Sequence, residues 1–358
     1  MPRPRSSGQS QTPPAPSPEN RSLQQIVSSN DHNWNSKPTN HSNSKAPIRI
    51  THPDKILDPA SHLTKQQLAN YYQAIAPYLF PHIANRPLSL VRCPDGTQQP
   101  CFFQRHATGT LPPGVKSIPI ADKTSTKPEP YLTLSTPEAL VSLAQIGVLE
   151  LHPWGSCIDD LEHPDRIIFD LDPDPALPWP SLAAAAAEIR QRLKKIGLAS
   201  FLKLTGGKGL HVVVPIQPHH DWATVKEFAH TFALQLEHSN HTLYLTKMTK
   251  SARTGKIFLD YLRNERSATA VAPYSPRARP GAPVSLPLHW AELKLPERPV
   301  FPVADFPTWK PRLRRDPWKQ LPLIHQSLPL KPSKSPRTTR DCHPARGRRT
   351  RHPPATSP

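Results

Sequence analysis

Ile167-Ile168-Phe169-Asp170-Leu171-Asp172-Pro173-Asp174 is the stretch from which the fold is read. An apolar run entering D-x-D predicts a buried strand over residues 166–172 that emerges at its carboxylates. Residues two apart on a strand face the same side, so Asp170 and Asp172 stand next to each other. Such a pair repels unless a cation lies between the two, and hard oxygen ligands suit Mg²⁺ or Mn²⁺. A solvated strand end followed by a turn has the same local pattern, so the pair alone does not decide.

Two stretches further along bear on it. Lys256-Ile-Phe-Leu-Asp260-Tyr-Leu-Arg263 places a third aspartate inside a strand expected over 257–262. A carboxylate buried there needs a partner. Either Arg253 or Arg263 pairs with it, or the three aspartates hold metal. Thr205-Gly-Gly-Lys208-Gly-Leu-His211-Val-Val-Val-Pro215 gathers three of the chain's 13 glycines within four positions. Glycines let backbone N–H groups approach an anion, and Lys208 adds charge. The stretch is not a Walker loop, since a strand (210–215) follows. A tight hairpin with a surface lysine remains the plain alternative, as a core position does for His211.

Helices surround these strands. Thr64-x-x-Gln67 is a capping box before Leu68, Tyr71, Tyr72, Ile75 and Leu79 at helical spacing. Ser135 or Thr136 with Pro137 opens a helix that stops at Gly147. Residues 181–196 form a third, and Asp221 caps a fourth with the stripe Trp222, Val225, Phe228, Phe232 and Leu236. Strands so close in sequence favour a largely antiparallel sheet over a doubly wound one.

The 358 residues include 48 prolines and only 13 glycines, without the Gly-X-Y period of collagen. No apolar run reaches the ~20 residues of a membrane helix, and the first residues do not read as a signal-peptide h-region. Cys93, Cys101, Cys157 and Cys342 form no CxxC pair, which argues against a zinc ribbon or a disulfide scaffold and for a reducing compartment. Residues 1–46 and 331–358 read as disordered, leaving 47–330 as one mixed α/β domain with an extended, proline-studded end from about Pro287. Of the net charge of +18, the two ends carry +3 and +7 and the body +8. A basic body points to a polyanionic partner, nucleic acid above all.

Asp170-x-Asp172, the Thr205–His211 loop and Asp260 occur in the order of motifs I, II and III of the archaeo-eukaryotic primase superfamily. More closely, residues 47–320 resemble the polymerase domain of bacterial ATP-dependent DNA ligase D. Thr51-His52-Pro-Asp-Lys55, Arg86-Pro-Leu-Ser-Leu90, Phe102-Phe103-Gln104, Glu150-Leu-His152-Pro-Trp154 and Ala270-Val-Ala-Pro-Tyr-Ser-x-Arg277 also fit. The second motif usually begins with serine; Thr205 keeps the hydroxyl and adds a methyl.

The resemblance implies an α+β, primase-like fold with a mainly antiparallel or mixed central sheet flanked by helices. It implies a template-dependent, ribonucleotide-preferring nucleotidyltransferase that fills gaps and extends DNA ends for bacterial non-homologous end joining. Asp170, Asp172 and Asp260 would hold two divalent cations, Mn²⁺ or Mg²⁺. Thr205, Lys208, His211, Arg253 and Arg277 would line the triphosphate of an NTP or dNTP, with His152 beside its sugar. His152 before Pro-Trp also suits a plain strand end. Lys55 and Lys65, with His52, would grip the 5′-phosphate at a gap or an end with a 3′ overhang. Lys65 would do so on a helix first turn with free N–H groups. Phe102 and Phe103 would abut template bases, one stacking while the other packs in the core. Ku and a separate ATP-dependent DNA ligase are the implied partners, and the bacterial cytoplasm and nucleoid the implied location. No K-x-D-G nucleophile is found, so a stand-alone polymerase or a fragment is expected. A de novo primase and an inert DNA-end-binding module are the alternatives.

Overall fold

The computed structural model describes residues 48–121 and 127–329, so the two segments expected to be disordered lie outside the described residues. A short antiparallel ribbon comes first, β1 (Ile56–Asp58) with β2 (Leu63–Thr64). Helix α1 (Lys65–Leu79) follows directly. Both halves of its capping box are made: Thr64 Oγ1 accepts from Gln67 N at 3.1 Å, and Gln67 Oε1 accepts from Thr64 N at 2.8 Å. The expected stripe, Leu68 to Leu79, is buried.

Strands β3 (Leu88–Arg92), β4 (Phe102–Gln104), β5 (Val115–Ile120) and β6 (Glu129–Leu134) precede helix α2 (Ala139–Gln145) and β7 (Val148–Pro153). They form an antiparallel sheet of order β4-β3-β6-β5, with β7 also paired to β3. Helix α2 starts later than its sequence suggested. Ser135 Oγ is committed to Gly114 O at 3.0 Å, and no side chain caps the helix. Its end is as expected: Gly147 takes φ +69°, and a Cβ there would stand 2.9 Å from Cys93 O.

Cys93 and Cys101 are joined by a disulfide, against the expectation from their spacing. The hairpin explains it, since β3 and β4 run antiparallel and bring the two Cα atoms to 4.4 Å. Sequence spacing says nothing about that, and the reducing-compartment reading loses its support.

The second sheet holds β8 (Arg166–Pro173), β9 (Phe201–Leu204), β10 (Leu210–Pro215), β11 (Tyr244–Leu245), β12 (Ile257–Asp260) and β13 (Pro287–Leu288). Its order is β11-β12-β8-β10-β9-β13, antiparallel except for β11 with β12. Helix α3 (Trp179–Lys195) lies between β8 and β9 in sequence, and α4 (Trp222–Ser239) between β10 and β11. Helix α3 begins two residues before the expected Ser181, with Pro180 in its first turn, where a missing N–H costs nothing. Asp221 caps α4 as expected, accepting from Thr224 N at 2.9 Å. Strand β12 ends at Asp260 rather than Leu262, because the chain turns into a 3₁₀ segment whose Leu262 N donates to Asp260 Oδ1.

Period-two alternation sorts the faces of β8. Ile167, Phe169 and Leu171 pack with Leu182, Ile189, Val225 and Phe232 of α3 and α4. Asp170 and Asp172 are left on the other face. After β13 the proline-rich end carries α5 (Phe306–Trp309) and puts Val303, Trp309 and Leu313 into the core around α1. Among the described residues no helix is long and apolar enough to cross a membrane.

Candidate active site

A polar rung crosses four strands of the second sheet. Strand register pairs Lys203 with His211, His211 with Asp170, and Asp170 with Asp260. Directly opposed residues share a face, so these side chains line up on the face away from the helices. Asp172, two residues on from Asp170, joins them.

This face floors a cleft of about 360 Å³. All nine residues assigned from sequence to metal or nucleotide line it: Asp170, Asp172, Asp260, His152, Thr205, Lys208, His211, Arg253 and Arg277. Distant segments thus converge on one cleft. The Thr205–Gly209 turn is the β9–β10 hairpin. Thr205 N and Oγ1 both donate to Gly209 O at 3.1 Å, and Gly207 N donates to Thr205 Oγ1 at 3.2 Å. Gly209 presses on β8, where a Cβ would clash with Leu171 O.

Every aspartate meets a cation. Asp172 pairs with Lys208 Nζ at 3.1 Å and with Arg253 at 3.2 Å. Asp170 lies 3.3 Å from His211 Nε2 and 3.1 Å from Arg263 Nε. Arg263 Nε also reaches Asp260 at 3.3 Å. Burial would raise the Asp170 pKa, but His211 and Arg263 together hold it well below the usual carboxylate range. Asp260 moves the other way: burial raises it, and the neighbouring Asp170 opposes the relief from Arg263. His211 is pushed down to about 4 by burial and by Lys203. It is therefore a neutral donor or acceptor at pH 7, not the titratable positive charge expected near a triphosphate.

Among the described residues no three His, Cys, Asp or Glu side chains form a ready metal cage. The donor set nonetheless suits hard divalent cations: three carboxylates on two adjacent strands, with one guanidinium spanning two of them. Arg263 supplies there the charge compensation that a bound cation would supply.

A separate groove of about 690 Å³ is lined by His52, Lys55, Lys65 and Arg92. Here the structure corrects the first-turn argument. Lys65 N donates to Lys55 O, Gln66 N to Pro53 O and Gln67 N to Thr64 Oγ1, so these N–H groups are already taken. Lys65 is also no surface lysine; it is 7% exposed and donates to Thr51 O at 3.0 Å. Any anion here meets ammonium and guanidinium groups rather than a helix end. Lys55 pairs with exposed Asp95 at 2.8 Å.

Phe102 and Phe103 are 45% and 46% exposed, so neither packs in the core. Strand β4 is a sheet edge. Arg92 lies over the Phe102 ring, and Phe103 meets the His152 ring edge-on at 5.6 Å.

Of the two partners the sequence offered for Asp260, the structure selects Arg263. Sequence reading missed two participants. Glu150, two residues before His152 on β7, binds it at 2.8 Å. Lys203 stands in the apolar run Phe201-Leu-Lys-Leu204, where a lone lysine is itself a signal, and its Nζ donates to Ser285 Oγ at 2.8 Å.

The family described as LigD, primase-polymerase domain, matches residues 64–318. A multifunctional non-homologous end joining protein LigD of Pseudomonas aeruginosa is 41% identical over 249 residues, 69% of this chain and 29% of that protein. The counterpart from Mycolicibacterium smegmatis is 35% identical over 252 residues, covering 70% and 33%. The bifunctional LigD of Bacillus subtilis is 27% identical over 248 residues, covering 69% and 39%. The matched stretch thus spans about a third of the length of these relatives. The solved polymerase domain of Mycobacterium tuberculosis ligase D in complex with DNA superposes with a TM-score of 0.71 and 31% identity, covering 76% of this chain and 97% of that one.

Proposed function

The chain belongs to the LigD primase-polymerase family, and from that premise we propose that it is a template-guided nucleotidyltransferase that fills gaps and extends DNA ends in non-homologous end joining. The observation that carries this reading is the cleft itself, where three carboxylates face Lys208, Arg253 and Arg277.

In the proposed reaction the primer 3′-oxygen attacks the α-phosphorus of a nucleoside triphosphate, and pyrophosphate leaves. Asp170, Asp172 and Asp260 would hold two divalent ions, Mn²⁺ or Mg²⁺, whose charge when bound acidifies the 3′-hydroxyl and offsets that of the leaving group. Lys208 and Arg253, which pair with Asp172, are the fixed positive charges that would meet the triphosphate. Arg277, alongside Thr205, adds a third fixed positive charge, while His211 contributes hydrogen bonding only. His152 faces the nucleotide sugar, which underlies the proposed preference for ribonucleotides.

Lys55, Lys65 and His52 are proposed to hold a downstream 5′-phosphate, with Phe102 and Phe103 against template bases. This groove favours end-filling over de novo priming, since a primase has no downstream strand to grip. Three aspartates intact in one cleft favour an enzyme over an inert end-binding module. Extension of a primer across a gap bearing a 5′-phosphate, with NTPs and dNTPs compared in Mg²⁺ and Mn²⁺, tests the reading. Failure to extend in either metal would overturn it.

A further inference from the structure

Glu150 is 5% exposed on β7, yet it is not idle. Its Oε1 accepts from Ala278 N at 2.8 Å. Its Oε2 lies 3.0 Å from Arg277 Nε and 2.8 Å from His152 Nε2. One carboxylate thus ties together two cleft-lining side chains, the His152 imidazole and the Arg277 guanidinium.

An ionised carboxylate accepts hydrogen bonds and cannot donate them. Arg277 supplies the counter-charge that keeps Glu150 ionised, so the proton on the shared hydrogen bond belongs to His152 Nε2. In a neutral imidazole the other nitrogen then carries a lone pair. His152 lines the cleft, and among the described residues its Nδ1 has no hydrogen-bond partner. Phe103 meets the ring edge-on. Burial lowers the His152 pKa, only partly offset by Glu150, and so keeps the ring neutral at pH 7.

We infer that Glu150 is a positioning residue that fixes the His152 tautomer, so that the cleft receives a hydrogen-bond acceptor and the site selects nucleotides whose sugar donates a 2′-hydroxyl. This rests on the proposed nucleotide-binding role of the cleft and adds how ribose is read there. A ribose hydroxyl donates to Nδ1, whereas a 2′-deoxy sugar offers nothing and a 2′-fluoro sugar has only an acceptor.

The test needs the wild-type chain and one variant. The wild type should favour NTP over dNTP in kcat/KM and treat 2′-fluoro nucleotides like dNTPs. Its ¹⁵N spectrum, assigned by loss of the signal in His152→Gln, should show Nε2 protonated and Nδ1 bare. In Glu150→Gln the amide can donate to Nε2 and drive the proton to Nδ1. The NTP-to-dNTP ratio should then fall roughly three- to tenfold, about one neutral hydrogen bond. Loss of the Arg277 pairing should weaken both nucleotides alike and cancel in the ratio.

A protonated Nδ1 in the wild type would overturn the inference even if the variant does not fold. Brisk incorporation with equal use of 2′-hydroxyl, 2′-fluoro and 2′-deoxy nucleotides would overturn it while leaving the polymerase reading intact. Absence of all incorporation would sink both.

Discussion

Asp170 and Asp260 stand directly opposite one another on antiparallel neighbours β8 and β12, and the Arg263 guanidinium spans them at 3.1 and 3.3 Å. The two carboxylates are not equivalent. Asp170 has His211 as a second partner, whereas Asp260 has burial and the charge of Asp170 against it.

That asymmetry separates two substitutions in metal-free buffer. Asp170→Asn should cost roughly 3 kcal/mol, because it strips a buried ion pair of one partner. Asp260→Asn should be neutral or mildly stabilising at pH 7, since it removes a carboxylate whose ionised form the fold disfavours. That gain should vanish below about pH 3.9, where the carboxyl is protonated folded or unfolded. Urea titrations in EDTA decide it. Equal destabilisation by the two would refute the assigned asymmetry.

Acid should weaken the fold through buried histidines. His82 is pushed down to about 3 by burial and by Arg166 and Arg86, and His211 to about 4. An unfolded histidine takes up a proton near pH 6.5, and these folded ones do not. Their contribution is therefore complete above that pH and lost as pH falls toward 4. The slope should approach about 1.4 kcal/mol per pH unit for each histidine. His82→Phe, keeping a ring against Trp318, should flatten the slope measured from pH 6.5 to 4. An unchanged slope would show that His82 is protonated in the folded state.

The lysine groove should read the phosphate rather than the duplex. Lys65→Ala should weaken binding to a 5′-phosphorylated gap by roughly ten- to a hundredfold, one charge-assisted contact. Binding to a 5′-hydroxyl gap should change little. Fluorescence titrations crossing lysine or alanine with phosphate or hydroxyl isolate the coupling. Equal loss on both DNAs would reduce Lys65 to part of a diffuse basic surface.

Phe103 can be tested without risk to the core. Because it is 46% exposed, Phe103→Ala should leave the melting temperature within a degree or two (about 0.5 kcal/mol). Affinity for a primer-template should fall by about 1–3 kcal/mol if a base stacks on the ring. A large drop in melting temperature with unchanged affinity would assign Phe103 to packing.

Much of this architecture was legible because it rests on local rules. Thr64 and Asp221 cap their helices through side-chain chemistry that four residues of sequence reveal. The D-x-D strand and the Gly-rich hairpin follow from period two and from glycine's missing Cβ. What escaped depends on register and tertiary neighbours. No local signal pairs Lys203 with His211 or lets Arg263 serve two carboxylates. The Cys93–Cys101 disulfide needed the β3–β4 hairpin, and the occupied N–H groups at α1 needed the 53–55 segment folded over the helix start. Phe102 and Phe103 alternate as a strand should; that both are exposed depends on what packs on each face of β4, which no local pattern tells.

The most direct measurement is single-nucleotide extension of a primer on a 5′-phosphorylated gapped duplex, run with wild type and with Asp172→Asn. Asp172 is chosen because its partners, Lys208 and Arg253, sit at the cleft rather than in the core. Wild type should add the template-complementary nucleotide only with Mg²⁺ or Mn²⁺ present, and Asp172→Asn should add none while still binding the DNA. Undiminished addition by Asp172→Asn, or none by the wild type in either metal, would contradict the assignment of this cleft as a polymerase active site.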